Sequence, residues 1–159
     1  MVKAQHLAIR VSDIERSTQF YLKTFNAKLA AKTYTSPKEL AEAFFGVKNT
    51  EYKIALIELA DGFGLELFQF VPDVHPTIGV PQETGGYMHF AIAVDDVEAT
   101  VERGVASGGT GGAIAGFAPN DPTKFTYLRD PDGNYIELND TTWDKLMGAI
   151  VTLFPEAAL

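Results

Sequence analysis

One sequence pattern occurs twice in this chain, and this repetition constrains the fold more than any other feature. The stretch "HLAIRVSDIE" (His6–Glu15) matches "HFAIAVDDVE" (His89–Glu98), and "DGFGLEL" (61–67) matches "DGNYIEL" (132–138). Matches of this kind indicate two similar supersecondary units in sequence. Along the sequence, the two copies of the Asp-Gly stretch lie closer together than the two copies of the His stretch, so the first unit must contain extra residues. The segment "SPKELAEAFFGVKN" (36–49) is the expected insert, and it reads as a short helix closed by a glycine.

Each half of the chain is predicted to fold as a βαβββ unit. Apolar residues alternate along the expected strands and recur at helical spacing after the first strand of each half. Asp13 and Asp96 precede the helical segments and suit N-cap positions, although Ser12 and Asp95 could also serve. Asp-Gly turns separate the last two strands of each half. We therefore expect a helix at 13–25 with strands at 3–11, 27–34, 52–60 and 63–71, and a helix at 96–107 with strands at 87–94, 112–117, 124–129 and 134–139.

The predicted fold class is α+β, with two βαβββ modules forming a curved mixed sheet around a concave metal site. The first module is expected to cover residues 1–72, with its helical insert at about 36–49, and the second to cover residues 87–140. Residues 73–86 are rich in Pro and Gly and are predicted to be a linker. Residues 141–159 are predicted to form a C-terminal helix whose apolar side packs against the rest of the protein (Trp143, Leu146, Ile150).

Composition narrows the class of protein. The chain has 159 residues, 46% of them hydrophobic and 21% charged, which is an ordinary globular balance. It has no Cys, so disulfides, thiolate nucleophiles and thiolate metal ligands are excluded. The net charge of −8 disfavours nucleic acid as a partner. Apolar runs are too short for a membrane span, and we expect a cytoplasmic protein that acts on a small molecule.

The two halves place the same pair of metal-binding residue types on equivalent strands. In the first strand of each half, a His (His6 or His89) lies on the face opposite the bulky aliphatic residues. In the last strand of each half, a Glu (Glu66 or Glu137) lies between two aliphatic residues. The aliphatic residues must pack on the helix, so the His and Glu side chains should share the concave face. Imidazole and carboxylate together suit a divalent ion such as Ni, Zn, Co, Mn or Fe.

Simpler interpretations exist for each residue taken alone. A single His on a strand is more often structural or exposed, and Glu66 alone is compatible with a solvated strand position. The metal prediction depends on the equivalent positions in both halves. Arg10 also lies on the concave side, where it could pair with an acidic residue of a partner or hold a substrate carboxylate through two hydrogen bonds. Phe68, Phe70 and Phe117 are expected to line the pocket and contact the substrate.

The motifs "HLAIRVSDIERSTQFY", "LELF", "YMHFAIAVDD" and "DPDGNYIEL" cover nearly the whole chain and resemble those of the vicinal oxygen chelate superfamily. That superfamily includes glyoxalase I, methylmalonyl-CoA epimerase, extradiol dioxygenases, and fosfomycin and bleomycin resistance proteins. The predicted ligand pattern is similar to that of glyoxalase I. Epimerases of the family usually have Gln where this chain has Glu66, and extradiol dioxygenases have no ligand on that strand.

The resemblance implies a metal-dependent lyase or isomerase that moves a proton next to a carbonyl through an enediolate. Glu137 and Glu66 would be the catalytic carboxylates, with the order of their roles open. It also implies a homodimer, with the metal site built either within one chain or across the dimer. An epimerase, an Fe(II) extradiol-type dioxygenase and a non-catalytic binding protein are the alternatives. Two departures from bacterial glyoxalases, Phe70 in place of Asn and Pro119 in place of Lys, imply a more apolar pocket than glutathione requires.

Overall fold

The computed structural model describes residues 4–60, 62–73, 87–116 and 122–157. The first half contains six elements, which are β1 (His6–Arg10), α1 (Ile14–Phe25), β2 (Lys28–Ser36), α2 (Lys38–Phe45), β3 (Glu51–Ala60) and β4 (Phe63–Val71). The second half contains β5 (Phe90–Ala93), α3 (Val97–Ala106), β6 (Thr110–Gly111), β7 (Phe125–Arg129) and β8 (Tyr135–Asn139). Helix α4 (Trp143–Leu153) and a short 3₁₀ turn (Pro155–Ala157) follow.

The strands form two four-stranded sheets with the same topology, in the orders β1-β4-β3-β2 and β5-β8-β7-β6. In each sheet the first strand runs parallel to the last, and the remaining pairs are antiparallel. This arrangement confirms the α+β class and the two βαβββ units. Most predicted strand ends differ from the observed ends by only a few residues.

Local sequence signals account for the helix and turn boundaries. The side chain of Asp13 accepts a hydrogen bond from the Arg16 backbone N–H, and the side chain of Asp96 accepts one from the Ala99 backbone N–H, both at 2.9 Å. These contacts confirm both expected N-caps. Helix α2 ends at Gly46, whose φ of 68° lies in the left-handed region that favours glycine.

One apolar core joins the two modules. The side chains of Leu65 and Leu67 on β4, and of Ile136 and Leu138 on β8, are all fully buried. Helices α1 and α3 cover these faces and contact each other, and buried residues of both modules belong to a single cluster. The aliphatic residues that flank each Glu therefore pack as the alternation predicted.

A polar contact also links the modules. Asp132, in the turn before β8, accepts hydrogen bonds from the Ser12 hydroxyl at 2.5 Å and from the Arg16 guanidinium at 2.6 Å. Burial raises the pKa of Asp132, but the hydrogen bonds from Ser12 and Arg16 outweigh burial and hold this pKa below its usual value. Nearby, the buried Tyr21 hydroxyl donates to Asp130 at 2.9 Å. The turn before β8 is thus bound to the start of α1.

The predicted strand at 112–117 is wrong for the residues that the structure describes. Strand β6 comprises only Thr110 and Gly111, and Ala115 forms an isolated bridge with Phe125. A Cβ at position 112 would lie 2.7 Å from the Tyr127 carbonyl oxygen. The backbones therefore approach closely at Gly112, and the regular ladder stops there, although Ala115 still exchanges backbone hydrogen bonds with Phe125.

The predicted packing of the C-terminal helix is wrong for Trp143, whereas Leu146 and Ile150 are half-buried. Helix α4 forms at the expected place, but none of its residues is buried and the Trp143 side chain is 71% exposed. The faces of the two sheets that carry the core are already covered by α1 and α3, so among the described residues α4 has no part in the buried core. No helix among the described residues is long and apolar enough to cross a membrane.

Candidate metal centre and adjoining pocket

The first His–Glu pair lies on the parallel strands β1 and β4. The register pairs Ala8 with Glu66, which places Glu66 on the same face as His6. His6 Nε2 lies 3.6 Å from Glu66 Oε2, and the two side chains are 44% and 30% exposed. The other ring nitrogen, His6 Nδ1, lies 3.0 Å from the side-chain oxygen of Gln5. A hydrogen bond of this kind orients an imidazole so that its other nitrogen can bind a metal.

The second pair repeats this geometry on β5 and β8. His89 Nε2 lies 3.1 Å from Glu137 Oε2, and the side chains are 27% and 12% exposed. The second pair is therefore more buried than the first. His89 Nδ1 is buried and has no hydrogen-bond partner among the described residues.

Two residues to which the sequence analysis gave no role at the site hold Glu137 in place. The Tyr127 hydroxyl donates to Glu137 Oε2 at 3.3 Å, and the Asn139 amide donates to Glu137 Oε1 at 3.2 Å. The Tyr127 ring also meets the His89 ring edge-on, with centroids 5.2 Å apart. Burial and the adjacent Glu137 carboxylate raise the pKa of Tyr127, which keeps its hydroxyl protonated as a donor. Tyr127 faces Glu137 directly in the β7–β8 register, a cross-strand signal that could have identified it.

Each pair has the spacing of two neighbouring ligands of one metal ion. With metal–ligand distances of about 2.1 Å, adjacent ligand atoms are separated by about 3.0 Å in an octahedron and about 3.4 Å in a tetrahedron. The distances of 3.6 Å and 3.1 Å lie close to these values. Among the described residues, however, no group of three His, Asp or Glu side chains comes together. The structure therefore brings together two pairs of predicted ligands and does not gather all four.

Arg10 lies on the concave side, as the strand alternation predicted, and forms a salt bridge with Asp73. It lines two pockets, one shared with His89 and the other with Glu66. Neither of the two expected roles is tested by this contact. The salt bridge shows that a carboxylate can reach Arg10 from within the same chain.

An apolar pocket of about 330 Å³ adjoins Glu66. Phe68 and Phe70 follow Glu66 on the same face of β4, and Phe45 at the end of α2 also lines the pocket. The Phe45 ring lies edge-on to Phe68 and Phe70, with centroids 5.8 Å and 5.9 Å away. Phe117, the third predicted contact residue, lies outside the described residues.

Comparison with known proteins identifies a family. Residues 3–138 match the model of the Glyoxalase/Bleomycin resistance protein/Dioxygenase superfamily. A lactoylglutathione lyase of Haemophilus influenzae is 33% identical over 132 residues, which cover 83% of this chain and 87% of that protein. A probable lactoylglutathione lyase of Vibrio cholerae is 33% identical over 135 residues, or 84% and 86% of the two chains.

Some relatives are much longer. The chain is 32% identical over 133 residues to a probable chloroplastic lactoylglutathione lyase of Arabidopsis thaliana, but it spans only 34% of that protein. Among solved structures, a glyoxalase family protein from Bacillus cereus superimposes with a TM-score of 0.74 at 20% identity, covering 87% of this chain and 93% of the other. Glyoxalase I from Zea mays gives a TM-score of 0.64 at 24% identity, over 88% and 45%. These two structures support the fold.

Proposed function

Because this chain belongs to the Glyoxalase/Bleomycin resistance protein/Dioxygenase superfamily, we propose that it is a metal-dependent lyase or isomerase of the glyoxalase I type. The observation that carries the proposal is the pair of His–Glu sites at equivalent positions of the two modules, each spaced as neighbouring metal ligands. Relatives named lactoylglutathione lyase, about 30% identical over most of this chain, support a glyoxalase-like enzyme.

His6, Glu66, His89 and Glu137 would hold the ion. A divalent ion bound there would polarise two adjacent oxygens of the substrate as a Lewis acid. One carboxylate would take the proton from the carbon that bears the hydroxyl next to the carbonyl, and the same proton would be returned to the former carbonyl carbon to complete the isomerisation. Glu137 is restrained by Tyr127 and Asn139, so it suits a fixed position. Glu66 is more exposed, and its polar contact among the described residues is with His6, so it suits the carboxylate that moves.

The complete site is proposed to form between two copies of the chain. Each His–Glu pair supplies two ligands, whereas metal sites in enzymes usually have three or more protein ligands. A two-fold homodimer would place the His6–Glu66 pair of one protomer opposite the His89–Glu137 pair of its partner, and would generate two identical sites. Two carboxylates and one divalent ion would give each site no net charge.

The proposal is tested by turnover of the methylglyoxal–glutathione hemithioacetal, followed through thioester absorbance. The protein is stripped of metal and reloaded in turn with Ni²⁺, Zn²⁺, Co²⁺ and Mn²⁺. Turnover that depends on metal and disappears in both Glu66→Gln and Glu137→Gln supports the proposal. Metal-loaded wild-type protein that forms no thioester with any of these ions would refute the assignment to this reaction.

A further inference from the structure

The inserted helix α2 builds a pocket wall that has no counterpart among the described residues of the second module. Its Ala41 is fully buried against Tyr52 and Ile54 of β3, so the helix is packed onto the sheet rather than free. The strand register shows which face it covers. Tyr52 pairs with Phe70, Ile54 with Phe68 and Leu56 with Glu66, whereas the alternate residues of β3 and β4 belong to the core under α1. Helix α2 therefore lies on the concave face, on the same side as Glu66.

Phe45 closes this wall over the pocket. Its ring makes edge contacts with three aromatic rings of the sheet, including Tyr52 at a centroid distance of 5.4 Å, and with the ring of Phe44 beside it on the helix. The side chain is nevertheless 49% exposed, so one side of the ring remains open to a ligand. The pocket beneath it has two charged groups, Glu66, which belongs to the candidate metal site, and Arg10, which is paired with Asp73. The rest of its wall is apolar.

We propose that this pocket selects substrates with an aromatic arm on the carbon skeleton, and that Phe45 is the residue that determines this specificity. The inference rests on the proposed function, because the arm is attached to the carbon that reacts beside Glu66. Aromatic rings prefer edge-to-face contacts with centroids 4.5–7 Å apart, and the exposed part of the Phe45 ring offers such a contact to a planar group. A methyl group fills little of an apolar space of about 330 Å³ and gains correspondingly less from burial.

The test compares two hemithioacetals that share glutathione and differ only in the arm, phenyl from phenylglyoxal and methyl from methylglyoxal. We expect kcat/KM to favour the phenyl substrate, and Phe45→Ala to lower the phenyl-to-methyl ratio about tenfold, which corresponds to about 1.4 kcal/mol. Phe44→Ala is the matched control. Phe44 neighbours Phe45 on the same helix and meets its ring edge-on with centroids 6.4 Å apart, but Phe44 is 68% exposed and does not line the pocket. Phe45→Leu keeps apolar volume without the ring and should give an intermediate ratio.

A second measurement does not depend on metal or turnover. Saturation-transfer NMR with benzyl alcohol on metal-free protein should show transfer to the ligand in the wild type and in Phe44→Ala, and a severalfold weaker signal in Phe45→Ala. A ratio and an NMR signal that are both unchanged in Phe45→Ala would overturn the inference while leaving the proposed function intact. Absence of turnover with both substrates, together with Phe45-dependent NMR binding, would instead remove the proposed reaction and retain the aromatic pocket.

Discussion

A metal site shared between two protomers predicts that two defective variants can restore each other. The first variant carries His6→Ala and Glu66→Ala, which removes the pair with the 3.6 Å contact. The second carries His89→Ala and Glu137→Ala, which removes the pair with the 3.1 Å contact. Each homodimer then retains only two ligands at each site. We expect neither variant alone to bind metal tightly or to turn over the hemithioacetal.

The heterodimer behaves differently because of the symmetry. One of its two sites combines the mutated His6–Glu66 pair of the first variant with the mutated His89–Glu137 pair of the second, so it has no ligands. The other site combines the intact pair of each variant, so it has all four ligands. The two variants are co-expressed with different affinity tags, and the heterodimer is isolated by sequential purification. It should bind about half as much metal per protomer as the wild type and show about half its activity. Metal content is measured by elemental analysis and activity by thioester absorbance.

The matched control combines His6→Ala with Glu66→Ala on separate chains. Both changes affect the same kind of half-site, so each site of that heterodimer lacks one ligand and no site is restored. If the first heterodimer forms but stays without metal, or if a wild-type monomer binds metal as tightly as the full assembly, the shared site is refuted and the four ligands must meet within one chain.

Three further predictions concern stability and the ligand shell. Asp132→Asn should lower the free energy of unfolding by about 2 kcal/mol, because it weakens charge-assisted hydrogen bonds from Ser12 and Arg16. The pKa of Asp132 is lowered in the folded state, so this difference in the free energy of unfolding should hold above about pH 5 and shrink as the pH falls through about 3.9. Urea unfolding at several pH values measures the difference, and a difference that does not change with pH would contradict the prediction. Tyr127→Phe should weaken metal affinity about fivefold, because it removes a hydrogen bond to Glu137 worth about 1 kcal/mol. Metal affinity is measured by competition with a chelator, and an unchanged affinity would show that Tyr127 does not support Glu137 as a ligand. Metal at a hundredfold excess over its Kd should stabilise the folded protein by about 2.7 kcal/mol, and a melting temperature that does not respond to Ni²⁺, Zn²⁺ or Mn²⁺ would argue against a metal site.

The sequence was sufficient for the features that depend on local pattern. The repeat identified two βαβββ units, strand alternation placed Leu65 and Leu67 in the core, and Asp13 and Asp96 cap the helices as expected. Strand β6 could not be predicted in the same way. Its length depends on how closely the backbone at Gly112 approaches Tyr127, which is a tertiary distance.

In the candidate site, too, some features follow from local sequence pattern and others from tertiary contacts. Alternation placed each His and Glu on the correct face and placed Asn139, two residues after Glu137 on the same strand, on the Glu137 side, but the contact with Tyr127 depends on the cross-strand register. The exposure of helix α4 was equally inaccessible. Its apolar side is a property of its own sequence, whereas burial depends on whether another surface is available to cover it.

The sheet face on which a ligand lies and the distance between the two His–Glu pairs have different physical causes. Strand alternation determines the side of the sheet on which a ligand lies, and the repeat guarantees that both modules make the same choice. Proximity of the two pairs depends instead on how the modules pack. Here they are joined through α1, α3 and the turn that carries Asp132, which fixes the convex side of both sheets. Each concave face keeps its own His–Glu pair, with no third His, Asp or Glu gathered to either pair among the described residues. For the proposed metal site, a second copy is the simplest source of further ligands, because it carries a complementary His–Glu pair on the equivalent face of its other module.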